Sequence, residues 1–211
     1  MSKQTWKPGN MLYPVPAVMV SCRREGEKPN IITVAWAGTI CSDPVMLSIS
    51  VRKERYSHNI IENTGEFVIN LCSEELAFAT DFCGVRSGRD TDKFKEMKLT
   101  PERAEIVGCP MIKESPVNIE CRVREIIELG SHDMFIADIL KVHVDEQYID
   151  RSGRIRLDQA SLVAYNHGEY FGLKRQPIGK FGFSDMKPKT RKRINREKQG
   201  GNRRTGIKKT K

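Results

Sequence analysis

Hydrophobic positions in the chain recur mostly at every second residue, the period of a strand with one covered face. In "DPVMLSISV", Val45, Leu47, Ile49 and Val51 alternate with Met46, Ser48 and Ser50. "YPVPAVMVSCRR", the turn-rich "EGEKPN" and "IITVAWAGTI" read as a hairpin. "EFVINLC" reads as a further strand. "VNIECRVREIIEL", the turn Gly130-Ser131 and "HDMFIADILKVHVDE" read as a long antiparallel hairpin with one buried face. "LVAYNHGEYFGL" supplies a last strand and turn. Helical signals are short. Ser57 is a candidate N-cap and Gly65 a stop around "SHNIIENTG"; Ser73 and Gly84 bracket "SEELAFATDFCG"; "TDKFKEMKL" is a third short helix. The expected fold class is mainly β: about six antiparallel strands with peripheral helices, closed into a β-barrel that removes exposed edges.

Charge is unevenly spread. Residues 187–211 hold 12 of the 36 Lys and Arg and one of the 27 acidic residues, so the net charge of +9 comes from this end and the remainder is slightly acidic. A segment this polar cannot bury enough apolar area to offset its ordering entropy, so it is expected to be a disordered basic tail following a domain over 1–186. No apolar run approaches the roughly 20 residues of a membrane span. The amino end lacks an apolar signal core, which points to a cytoplasmic protein without a membrane partner. The six cysteines form no CxxC pair, so zinc-site and dithiol signatures are absent and no metal site is expected.

The richest chemistry lies in "SVRKERYSHNII", residues 50–61, where Arg52, Lys53 and Arg55 crowd beside Ser57 at a strand-to-helix transition. Unpaired N–H groups at a helix start, with basic side chains just upstream, suit a phosphate monoester. A solvated basic loop is the plain alternative. Trp36 alone reads as core, Lys93 as solvated and His132 as structural.

Taken together, "NIITVAWAGTICSDP", "SVRKERYSHNII", "GEFVINL", "SGRDTDKF", "GSHDMFIADI" and "HGEYFGLKRQPIGKFGFS" resemble the flavin reductase-like, FMN-binding split-barrel family, in particular its flavoredoxin-type members. The resemblance runs from about Tyr13 to Ser184 and leaves the basic tail outside. It implies a six-stranded antiparallel Greek-key split barrel, a homodimer and FMN near the subunit interface. It sets Arg52, Lys53, Arg55 and Ser57 at the FMN phosphate. It brings Asn30, Trp36, Lys93, His132 and Phe171 toward the flavin, with Thr33, Ala35, Gly38, Thr39 and Cys41 along the same strand and loop. It implies hydride transfer from NAD(P)H to the flavin and onward electron transfer to a flavin or protein acceptor, with no catalytic side chain because the cofactor carries the chemistry. No GxGxxG fingerprint appears, so a nicotinamide has to bind over the flavin rather than in a Rossmann domain. Two alternatives stand beside this reading: an FMN electron carrier reduced by a partner protein, and a nucleic-acid-associated protein acting through its basic tail.

Overall fold

The computed structural model describes residues 1–174 and 176–187. Beyond Lys187, the expected basic tail lies outside the described residues. The chain divides into Met1–Arg175 and Gln176–Lys211. Among the described residues of the second unit, a 3-10 turn, Phe183–Asp185, follows Gly182, whose φ is 80°.

The first unit is built of β1 (Val15–Pro16), β2 (Val18–Cys22), β3 (Asn30–Val34), β4 (Ala37–Ser42), β5 (Val45–Arg52), α1 (Tyr56–Thr64), β6 (Glu66–Leu71), α2 (Ala77–Val85), α3 (Lys93–Glu96), β7 (Pro101–Glu102), β8 (Met111–Ile112), β9 (Val117–Leu129), β10 (His132–Val144), β11 (Val163–Asn166) and β12 (Glu169–Gly172). Seven strands form one sheet in the order β3-β2-β6-β9-β10-β5-β4, and its ladders are all antiparallel. Its two outermost strands, β3 and β4, are consecutive in the chain and separated only by Ala35 and Trp36. Two residues span less than about 10 Å, so the ends of the sheet must meet and the sheet must curl into a barrel. No ladder joins β3 to β4, and the barrel is split there. The Ser50 amide donates to the Trp36 carbonyl at 2.8 Å, fastening the bend to β5. The run "IITVAWAGTI" is thus two strands rather than one, and the six expected strands become seven.

The alternation in β5 places Leu47, Ile49 and Val51 inside the barrel, while Val45 at its start is exposed. Phe67, Ile69, Phe135 and Ala137 meet them, and α1 contributes Ile60 and Ile61 to the same core. The opposite face of β2 and β3, with Met19 and Ile31, is covered by Leu76, Ala79 and Cys83 of the α2 region and Phe94 of α3. Covering on both sides explains why all five residues of β2 are buried. Among the described residues, no helix is long and apolar enough to cross a membrane.

Several helix boundaries differ from the sequence expectation: Ser73 precedes a 3-10 turn, Glu74–Leu76, with α2 itself starting at Ala77, and α3 is only Lys93–Glu96. Arg55, not Ser57, is the N-cap of α1, and no side chain caps it. Ser57 lies inside the first turn, buried, where its Oγ accepts from Asn30 Nδ2 at 2.7 Å. Gly84 does not end α2, which runs to Val85. A Cβ at Gly84 would stand 3.3 Å from the Thr33 Cβ, so this glycine serves the close packing of helix on strand.

Candidate functional site

A cleft of about 460 Å³ opens where the start of α1 meets the end of α2 and the connection to α3. That volume lies in the range of small-molecule sites, roughly 300–1,000 Å³. Asn30, Arg52, Arg55, Ser57 and Lys93, all anticipated from sequence, line it together. An adjoining hollow of about 150 Å³ shares Ile32, Arg52 and Arg55 and adds Thr33, Ala35, Trp36 and His132. The bend at Ala35-Trp36 therefore brings β3 and the β5–β10 end around one opening. Trp36 is tilted against Tyr13, ring centroids 6.0 Å apart.

The other anticipated residues sit elsewhere. Lys53 follows Arg52 at the end of β5 and turns away, pairing with Glu128 at 2.9 Å and Asp133 at 3.2 Å. Gly38, Thr39 and Cys41 lie on β4, and Phe171 lies exposed on β12; none of the four lines either cavity. The sequence reading quoted Ser87, Gly88 and Arg89 within the family segment "SGRDTDKF" but did not name them, or Arg86, as site residues; all four line the cleft.

Cation density sets the electrostatics. Arg55 Nη2 donates to the Gly84 carbonyl at 2.9 Å. Lys93, only 3% exposed, donates through Nζ to the carbonyls of Ile31 at 2.6 Å and Cys83 at 2.8 Å. An ammonium has three donors, so one remains. Burial, reinforced by the nearby Arg55 charge, pushes the Lys93 ammonium down to about 8, against weaker upward pulls from Cys83 and Cys22. Burial and the Arg52 charge hold His132 below its usual range, outweighing Glu54, so its imidazole is neutral at pH 7. The first turn of α1 holds no acidic residue, leaving the positive end of its dipole uncompensated. Such a cleft carries the charge and the donors that an anion requires.

The pH dependence has a definite sign. Lys93 is charged below about pH 8 and neutral above it. Affinity for an anionic ligand is expected to hold from pH 6.5 to 7.5 and to start falling near pH 8. Lys93→Met should weaken binding at pH 7 and flatten that fall. Titrations at half-unit pH steps check it.

Comparison with known proteins gives a consistent result. The family profile described as "Flavin reductase like domain" matches residues 10–174. The flavoredoxin of Desulfovibrio vulgaris (Miyazaki F) has a similar structure, with a TM-score of 0.81 and 30% identity, covering 88% of this chain and all of that one. A flavoredoxin from Methanosarcina acetivorans gives a TM-score of 0.78 at 27% identity, with 88% of this chain and 100% of that chain covered. The NADPH-flavin oxidoreductase of Streptomyces viridifaciens is 26% identical over 125 residues, 58% of this chain and 63% of that protein.

Proposed function

The chain belongs to the flavin reductase-like family, and on that premise we propose that it is an FMN-binding oxidoreductase, acting as a homodimer, that passes electrons from NAD(P)H through the flavin to a flavin or protein acceptor. The family supports flavin-related redox chemistry. The observation that carries the assignment to FMN is the cleft at the uncapped start of α1, where Arg55, with no carboxylate partner among the described residues, stands beside the first amides of the helix. These are the donors a phosphate monoester requires. Asn30 braces this arrangement by linking the 88 region to Ser57 on α1.

Bound FMN supplies the hydride and electron chemistry, and no protein nucleophile is needed. The chain's residues hold and tune it. Arg55 and the α1 amides bind the phosphate. Lys93 supplies positive charge that favours the anionic, reduced state, and His132 offers a neutral hydrogen-bonding ring beside Arg52. Trp36, half-buried at the adjoining hollow, offers an apolar surface for the ring system. The Streptomyces viridifaciens relative, an NADPH-flavin oxidoreductase, supports a nicotinamide donor.

The donor is tested by mixing FMN-loaded protein anaerobically with NADH or NADPH. The visible flavin band is expected to bleach with at least one of them. Persistence of the band with both removes the nicotinamide donor and favours a carrier reduced by another protein.

A further inference from the structure

A second cavity, of about 670 Å³, lies far from the cleft. Strand β10 runs 13 residues, from His132 at the hollow beside the cleft to Val144 at this cavity. At about 3.3 Å per residue that is roughly 40 Å of strand, so the two sites stand at opposite ends of β10. None of the residues lining the cavity lines the cleft or its hollow.

Its floor is the outer face of the β9–β10 hairpin. Ile119 and Cys121 turn into the barrel core, so Asn118 and Glu120 face outward. Asn118 and His143 are cross-strand partners on that face, and both line the cavity. Its wall is the chain around residue 105, held by the Glu120 carboxylate through the amides of Glu105, Ile106 and Val107. The same carboxylate lies 2.6 Å from His143 Nε2, so one buried residue ties wall to floor. Two acceptors on this floor are left over. Asn118 is only 6% exposed, and its Nδ2 donates inward to Asn70 Oδ1 at 2.7 Å and to the Ile112 carbonyl at 2.9 Å. Both of those partners can only accept, which fixes the amide's orientation and leaves Oδ1 without a donor among the described residues. A carboxylate likewise only accepts, so His143 Nε2 carries its hydrogen toward Glu120, and in the neutral ring Nδ1 is an acceptor. Charge is left over too. Glu105 is paired with Lys141, and Asp145 is bonded to Gln147. Arg103 and Lys113, on the rim, form no ion pair among the described residues. Between rim and floor, the buried Met111 and Ala104 give the cavity an apolar flank.

We propose that this cavity binds a small carboxylic acid with a hydrogen-bond donor on its α-carbon and an apolar side chain, the chemistry shared by apolar α-amino and α-hydroxy acids. Arg103 and Lys113 take the carboxylate. The α-amino or α-hydroxyl group donates to Asn118 Oδ1, with His143 Nδ1 beside it, and so supplies the partner that a buried carbonyl oxygen requires. The apolar side chain lies along Met111 and Ala104. The site is independent of the flavin reading.

The test is calorimetric titration of the full chain with leucine, its α-hydroxy analogue, its analogue with no α-substituent, and isopentylamine, which lacks the carboxylate. Leucine or the α-hydroxy acid is expected to saturate one site with a Kd below about 1 mM, and the tighter of the two identifies the source. Removing the α-donor or the carboxylate is expected to weaken binding about tenfold or more. An Arg103→Gln/Lys113→Gln double variant should lose about tenfold for the acid that binds, with FMN affinity changed less than about twofold. Both side chains are exposed, so the fold should persist; circular dichroism checks it, and the two single variants replace the double one if it does not. No saturable binding of either acid, equal affinity for the analogue without an α-donor, or unchanged affinity in the variants overturns the site. FMN binding by the native chain, titrated separately, is untouched by any of these outcomes.

Discussion

Replacing Glu120 with alanine is expected to destabilise the fold by about 4 kcal/mol, the order found when one partner of a buried ionic network is removed. Glu120 has no exposed surface, yet it sits in strand β9 and is fully bonded. Its Oε1 accepts from the Glu105 amide at 2.9 Å and is 2.6 Å from His143 Nε2. Its Oε2 accepts from the amides of Ile106 at 2.7 Å and Val107 at 2.9 Å. One carboxylate therefore fastens the 105–107 loop to the barrel wall. Alanine leaves three amides without that acceptor. Burial alone would push this carboxyl up, but His143 and the three amides together reverse that and hold it below its ordinary value of 4.5. A depressed folded value means the stabilisation is complete above the unfolded value and disappears as pH falls through the folded one. The gap between native and variant chains should therefore be widest near pH 7 and narrow in acid. Urea unfolding at pH 7 and at steps down to pH 3 measures it. A loss under about 1 kcal/mol at pH 7 would show that the clasp is energetically idle. Should the alanine variant not fold, Glu120→Gln keeps one acceptor oxygen and is expected to lose about half as much.

Arg55→Ala is expected to weaken FMN binding by about 2 kcal/mol, roughly 30-fold, with riboflavin changed less than about twofold. The asymmetry follows from chemistry, since of the two flavins only FMN carries a phosphate, the group assigned above to Arg55. Arg55 also donates to the Gly84 carbonyl, so alanine loosens the contact between α1 and α2. Arg55→Lys separates the two effects: it restores charge without the fork, and FMN affinity should recover in part. Fluorescence titration with both flavins decides the matter, and parallel losses for FMN and riboflavin would detach Arg55 from the phosphate.

How far the sequence carried the fold varies by element. The β9–β10 hairpin was legible because its alternation is long and Gly130, at φ 59°, marks the turn. The break between β3 and β4 was not, because apolar residues continue across it and the bend is imposed by closure of the sheet. Ser57 looks like a cap since serine caps well, but the buried Asn30 amide claims its hydroxyl. Gly84 looks like a stop, but the demand on it comes from Thr33, distant in sequence. At the site, Arg52 and Lys53 are neighbours at a strand end, and only Arg52 reaches the cleft, as alternation of side-chain direction requires. Arg86 and Arg89 were not named as site residues because a basic loop after a helix is usually solvated. Only the packing of Gly88 on Asn30 brings that loop into the cleft wall.

The central claim is that the cleft between α1 and the α2–α3 connection grips a flavin by its phosphate. Equilibrium titration of the full-length protein at pH 7 with FMN and riboflavin side by side tests it most directly. The account predicts saturable one-to-one FMN binding, at least about tenfold tighter than riboflavin. Absence of FMN binding, or equal affinity for the two flavins, would contradict it.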